Sequence, residues 1–165
     1  MLKRMLLLFT LLLPLTAFAG GEVKVYDGSS RYYRDILCTV RDGKVYKGHS
    51  SYYSDVICTI REGRIYDGNS SYHSDILYTV RGNTVYLGTS SYFSDILLTI
   101  RDGQLYKGRS SYRSDIIATV RGDRVYEGTS TYYSDIDFSF DGPLTTEEFV
   151  AVWYAVLFSR RSRLR

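Results

Sequence analysis

Residues 55–75 read Asp55-Val-Ile-Cys-Thr-Ile-Arg-Glu-Gly-Arg-Ile-Tyr-Asp-Gly-Asn-Ser-Ser-Tyr-His-Ser-Asp75. The stretch opens on a short β-branched run, turns at Glu62-Gly63 and returns through Arg64 to Asp67. It ends as it began, on an aspartate preceded by Tyr-x-Ser. Short β-branched and aromatic runs bounded by Gly, Asn, Asp and Ser read as strands. A two-residue link of the Glu-Gly kind suits a type I′ turn, whose central residues both need positive φ. The stretch is one β-hairpin followed by a longer connection, Gly-x-Ser-Ser-Tyr-x-Ser.

Outward from there the same unit recurs with a period of 20 residues from Glu22 to Asp141, without an insertion. Tyrosine returns at 26, 46, 66, 86, 106 and 126, and again at 32, 52, 72, 92, 112 and 132. Glycine holds 28, 48, 68, 88, 108 and 128, and aspartate holds 35, 55, 75, 95, 115 and 135. Such regularity means one supersecondary unit, copied, with each copy burying a face against its neighbours. Asp42-Gly43 and Asp102-Gly103 repeat the type I′ chemistry, while Gly82-Asn83 and Gly122-Asp123 suit type II′, with glycine first. A two-residue loop sets Val40 opposite Val45 and Thr39 opposite Tyr46. Strict alternation places Ile36, Cys38 and Val40 on one face, with Leu37, Thr39 and Arg41 on the other.

The repeat is cut out of phase. The first copy is a lone second strand, Glu22 to Gly28, and the last a lone first strand, Asp135 to Asp141, with five complete hairpins between. Pairing these two orphans makes six equivalent hairpins and removes the exposed sheet edges that invite aggregation. The expected fold is therefore all-β with one C-terminal α-helix: a closed ring of six hairpin repeats, closed by the N- and C-terminal strands. A linear solenoid would leave the tight primed turns without a purpose.

Composition agrees with a folded chain: 165 residues, 44% hydrophobic and 24% charged. Only two prolines exclude a Pro-rich polymer, and two histidines with two cysteines are too few for most multi-ligand metal sites. Residues 1–19 read as a secretory signal peptide: Lys3 and Arg4, an apolar run from Met5 to Leu15, then Ala17-Phe18-Ala19 as the cleavage signal. Cleavage after Ala19 would take the formal net charge from +3 to +1, which argues against nucleic acid as a partner. The destination would be periplasmic or secreted. The apolar run is too short to span a bilayer, and strands of about seven residues fall short of a membrane barrel.

The remaining organisation is 20–143 for the ring, 144–158 for an apolar helix and 159–165 for a basic tail. Thr145 with Glu148 forms a capping box, and Leu144 with Phe149 a hydrophobic staple. Phe149, Val150, Val152, Trp153, Val156, Leu157 and Phe158 leave the helix almost no polar side, so it is expected as a plug across one end of the ring. The alternative is a docking or membrane-surface helix, helped by Arg160, Arg161, Arg163 and Arg165.

Catalytic chemistry finds little support. A Ser-Asp pair such as Ser54-Asp55 needs a base, and His49 and His73 stand at different repeat positions. Six copies of Ser and Asp entering a strand read better as turn and backbone caps. One aspartate per repeat does not supply a calcium site. No cofactor is expected, and no enzymatic activity. Cys38 and Cys58 fill the same slot in adjacent copies and read as buried small hydrophobes; the alternative is a disulfide between them.

The repeat-invariant tyrosines read as scaffold, with Tyr52 closing its loop. Copy-to-copy variation is the better guide to binding. The slot after glycine holds Ser29, His49, Asn69, Thr89, Arg109 and Thr129; the slot after the second tyrosine holds Tyr33, Tyr53, His73, Phe93, Arg113 and Tyr133. The candidate binding surface is His49, Tyr53, Asn69, His73, Phe93, Arg109, Arg113 and Tyr133, facing a protein or a glycan.

Repeated Val-Tyr-x-Gly-x-Ser-Ser-Tyr-x-Ser-Asp-Ile units behind a leader, ending in Leu-Thr-Thr-Glu-Glu-Phe-Val, resemble the bacterial β-flower repeat proteins. The resemblance covers residues 22–158. It implies a small exported protein of radially arranged hairpins with no established activity. Residues and resemblance together suggest a structural or protein-interaction module of the envelope or secreted space, with a lectin-like module as the alternative.

Overall fold

A computed structural model of the chain describes residues 21–163; the expected leader, 1–19, lies outside them. Twelve strands follow one another: β1 (Val23–Asp27), β2 (Ile36–Arg41), β3 (Lys44–Lys47), β4 (Val56–Arg61), β5 (Arg64–Asp67), β6 (Ile76–Arg81), β7 (Thr84–Leu87), β8 (Ile96–Arg101), β9 (Gln104–Lys107), β10 (Ile116–Arg121), β11 (Arg124–Glu127) and β12 (Ile136–Phe140). Each pairs antiparallel with its two sequence neighbours, and β12 pairs with β1 to close a barrel. One helix, α1 (Thr146–Arg163), follows.

The primed turns form as their residues dictate. Asp42 and Gly43 have φ of 50° and 70°, and the Glu62-Gly63 and Asp102-Gly103 turns match them. Gly82 and Gly122 take positive φ while the residue after each does not, the type II′ pattern. Val40 faces Val45 and Thr39 faces Tyr46, as the two-residue loop requires.

Strict alternation fails at one place in every copy, and the failure matters. Val45 faces Cys58, but Tyr46 faces Val56, so Ile57 is a bulged extra residue. The same shift recurs against each of the other short strands. A bulge re-aims side chains. Leu37 and Ile57 therefore join the interior cluster beside Cys38, Cys58 and Val40, whereas Ile36 and Val56 do not. This corrects the expected faces: Ile36 stands in register with Tyr26 on the outer wall, and Leu37 points inward.

The interior is filled by α1. Thr145 Oγ1 accepts the Glu148 N–H at 3.2 Å and Glu148 Oε2 accepts the Thr145 N–H at 2.9 Å, so the capping box forms. Phe149, Thr145 and Thr146 lie near the tight turns at Gly103 and Gly122, while Arg160 lies beside Gly28 and Asp137 at the opposite end. At 1.5 Å per residue its 18 residues span roughly 27 Å. The helix is thus an axial pin through the barrel rather than a plug across one end. Ala151, Val152 and Ala155 are fully buried in one cluster with Val25, Cys38, Val45, Cys58, Ile65 and Phe138 from the wall.

The pin sits off centre. It packs closely on β2 to β5, where Cys38 and Cys58 are small and Cys58 Sγ lies 3.9 Å from the Ala151 carbonyl oxygen. Both cysteines are free buried thiols, so no bridge joins them in this structure; burial pushes the Cys38 thiol up to about 12 and the Cys58 thiol higher still. Across the lumen, larger side chains meet the helix, and Tyr78, Leu98, Trp153 and Leu157 line a half-open apolar slot of about 180 Å³. Arg160 is not a free tail cation. The helix continues through it, and its guanidinium pairs with Asp137 at 2.5 Å and with Asp27 at 3.6 Å.

The turn geometry leaves no room for a methyl group at Gly103, whose φ is +72° and whose added Cβ would lie 2.9 Å from the Val120 carbonyl oxygen. Gly103→Ala should lower stability by about 1–3 kcal/mol. Chemical denaturation should show an earlier midpoint with an unchanged slope; an unmoved midpoint would contradict the turn described.

Candidate functional site

The six long connections are built alike, from the backbone outward. In the loop after β3, the Ser50 N–H donates to the Lys47 carbonyl at 3.1 Å and the Asp55 N–H to the Tyr52 carbonyl at 3.0 Å. Ser50 Oγ donates to Asp55 Oδ2 at 2.5 Å and accepts the Tyr52 N–H at 3.1 Å. Thr39 Oγ1, from the strand behind, donates to the Gly48 carbonyl at 2.7 Å. Equivalent Ser-Asp bonds close every other loop, and a single 3₁₀ turn such as Tyr53–Asp55 leads each back into the barrel. These are the turn and cap roles expected of Ser and Asp, and they use both bonding directions of the serine hydroxyl.

Loop closure therefore uses the main chain of Tyr52 and leaves its ring idle. Tyr32, Tyr52, Tyr72, Tyr92, Tyr112 and Tyr132 are 70–75% exposed. This divides the invariant tyrosines into two sets. Tyr26, Tyr46, Tyr66, Tyr106 and Tyr126 are buried on the outer wall and Tyr86 is half-buried, as scaffold should be. The second set is a belt of solvent-facing rings, which sequence reasoning assigned to loop closure. Their exposure could have been suspected from the Ser and Asp beside them, which already satisfy the loop.

The variable slots meet across neighbouring petals. The Tyr33 ring lies 4.3 Å from His49, centroid to centroid, and the Arg109 guanidinium lies 4.4 Å from the Phe93 ring centre. Lys44 joins the next pair, donating to Asn69 Oδ1 at 2.9 Å while standing 5.4 Å from the Tyr53 ring centre. Arg124 stands 5.5 Å from the Tyr133 ring centre. In the Tyr33–His49 and Phe93–Arg109 pairs residue n of one loop faces residue n + 16 of the next, and Lys44 links Tyr53 to Asn69 at the same spacing, so these residues mark seams around the barrel rather than one flat patch. His73 is exposed without such a partner among the described residues, and Arg113 lines an open groove with Thr129.

The loops also carry a titration signature. Hydrogen bonds from Ser70 and then Ser74 hold the Asp75 carboxyl below its ordinary value, and Ser130 with Ser134 does the same for Asp135. Among the described residues, no three His, Cys, Asp or Glu side chains group as a metal site would need.

Closed, pinned and built from one hairpin copied around an axis, the molecule is a repeat-built β-hairpin ring. The profile of the 6-fold beta flower protein family matches residues 25–153, and the chain belongs to that family. Among solved structures, an X-ray structure of a protein from Arabidopsis thaliana is similar at 17% identity with a TM-score of 0.46, over 87% of this chain and 93% of that one. The comparison with curated proteins found no match.

A carboxyl with a lowered folded value stabilises above its unfolded value, and that contribution is lost as pH falls through the folded value. The loops at 70–75 and 130–135 should therefore hold through pH 5 and loosen only below the ordinary 3.8. Carboxyl-carbon NMR should place Asp75 below that value in the wild type, and Ser70→Ala should return it upward. An Asp75 that titrates identically in both proteins would contradict the assigned bond.

Proposed function

We propose that the protein is exported and acts as a non-enzymatic recognition module, holding a protein partner of the envelope or secreted space through its tyrosine belt. The observation that carries this reading is the six locked loops, each presenting an invariant tyrosine ring at 70–75% exposure with no part in the loop's hydrogen bonding. Among the contacts of the described residues, only Tyr32 meets a loop neighbour, the Arg34 guanidinium 5.6 Å from its ring centre. Large apolar rings left in water without a structural duty mark an interaction surface. Tyrosine suits the task, because it offers a wide amphipathic contact and loses only two torsions on binding.

Composition supports the same conclusion. The loop Gly48-His-Ser-Ser-Tyr-Tyr-Ser54 is the Tyr, Ser and Gly mixture that protein-binding loops favour, with adaptable hydrogen bonding around rigid rings. Six similar contacts on one rigid body bind in parallel, so individually weak contacts sum to useful avidity. Against catalysis, Ser50, like its equivalent in each loop, is occupied as a donor to aspartate and an acceptor from backbone. The expected leader of residues 1–19 supports export.

Replacing Tyr52, Tyr72, Tyr92 and Tyr112 with alanine should leave the melting temperature nearly unchanged, since these rings are exposed. Capture of a protease-sensitive partner from an envelope extract should weaken about tenfold or more. Intact-mass measurement of the natural product should begin at Gly20. Undiminished capture by the variant would overturn the belt, and glycan-array binding that the variant loses would replace the protein partner with a carbohydrate.

A further inference from the structure

Four of the six seams between petals carry a ring or cation contact, and among the described residues the third and fifth do not. His49 on Tyr33, Lys44 between Tyr53 and Asn69, and Arg109 on Phe93 each bridge a seam, and Arg124 stands over Tyr133 at the sixth. Where the third seam holds His73 beside neutral Thr89, the fifth holds a cation, Arg113, beside Thr129. That fifth seam remains an open groove of about 430 Å³, within the range of small-ligand sites. Its lining includes Arg113 and Arg121, and no carboxylate. Neither arginine makes a side-chain hydrogen bond, ion pair or ring contact among the described residues.

The rest of the lining is donor-rich. Gln104 Oε1 is taken by the Tyr106 hydroxyl at 2.8 Å, which leaves the Gln104 amide nitrogen as the group available to a guest. Ser111, Thr129 and Thr131 add hydroxyls that can donate or accept. The floor is Ile116 and the Tyr106 ring, over which Arg101 stands 5.7 Å from the ring centre. Two guanidiniums select an oxyanion, since the arginine fork matches carboxylate and sulfate geometry. Hydroxyls and an amide over an apolar floor match the alternating hydroxyl and C–H edges of a sugar ring.

We infer that the seam lined by Arg113 and Arg121 binds a small acidic saccharide, its anionic group against the arginines and its hydroxyls against Gln104, Ser111, Thr129 and Thr131. No ring of the tyrosine belt lines the site. Both arginines are exposed, so binding is modest and weakens with salt.

The test is an amide-shift NMR titration of the mature protein with D-glucuronate, with D-glucose and sodium acetate as controls. Glucuronate should shift residues 111–113, 121 and 129–131 with a dissociation constant of about 1 mM. Glucose and acetate should each bind at least about fivefold more weakly, and Arg113→Ala with Arg121→Ala should weaken glucuronate about tenfold. Arg109→Ala in the neighbouring seam, and a variant with Tyr52, Tyr72 and Tyr92 replaced by alanine, should bind it unchanged; this separates failure here from failure of the belt. Equal binding of glucose would remove the anion requirement, and equal binding of acetate would remove the sugar. Undiminished binding by the double arginine variant, shifts spread over all seams, or no binding would overturn the site.

Discussion

The pairing of β1 with β12 is the contact on which everything else rests. Val25 faces Phe140, Tyr26 faces Ser139 and Asp27 faces Phe138, joining residues more than a hundred positions apart. Five hairpins can form locally, but the sixth exists only if the chain ends meet. The seam has its own chemistry. Where preceding copies carry an arginine, this one carries Asp141, which accepts the Lys24 N–H at 2.7 Å and the Tyr26 hydroxyl at 3.1 Å. Without that zip two strand edges would stand open, and the lumen that holds α1 would have no complete wall.

Closure of a twelve-strand ring creates a second problem, a lumen too wide for wall side chains alone to fill. The axial helix solves it, and it explains why a repeat so regular is broken at particular positions. The wall slot at Cys38 and Cys58 is small where the pin leans, and reads Tyr78, Leu98, Ala118 and Phe138 elsewhere. The Phe138 ring packs 6.4 Å from Phe149 and 6.0 Å from Trp153, while Tyr78 meets Tyr154 at 5.7 Å. The bulge slot is apolar at 37, 57, 77, 97 and 117 but holds Asp137 in the last copy, where Arg160 of the helix supplies its counter-charge. A sixfold backbone thus carries a set of side chains with no symmetry, because a single helix has none to match it.

Much of this was legible in the sequence, for reasons that differ by element. Period, turn type and the out-of-phase cut fixed strand order and closure, because primed turns depend on one or two residues with special φ and little else. The bulge at Ile57 was not legible: both residues flanking the slip are apolar, so either may face the core and pattern alone cannot choose. Helix placement failed similarly, since an all-round apolar helix announces burial without saying where. Asp137 was the available hint, a charge in an apolar column that requires a partner from elsewhere. The variable slots were read as a candidate binding surface, and their sixteen-residue pairing across seams needed the barrel's curvature. The exposed tyrosines were misjudged because repetition looks the same whether a residue is scaffold or serves six equal contacts.

That ambiguity is resolved by asking which atoms of a residue the fold consumes. At Tyr46 the ring itself is buried on the wall, so repetition follows from packing. At Tyr52 the fold consumes only the N–H and the carbonyl, groups every residue but proline could offer, yet the side chain is tyrosine in all six copies. Local structure does not account for a ring that is not used locally. Because serine, aspartate and threonine already lock the loop, the ring is held out at a fixed place before any partner arrives, and little ordering entropy is left to lose. Under the proposed function, invariant rings would supply a contact common to all petals, worth a modest amount each and additive only when several engage one rigid partner. Under that proposal the seam residues beside them, combined differently in every seam, would confine discrimination to particular petals. That proposal would separate a generic grip from a local reading along the same loop, one residue apart.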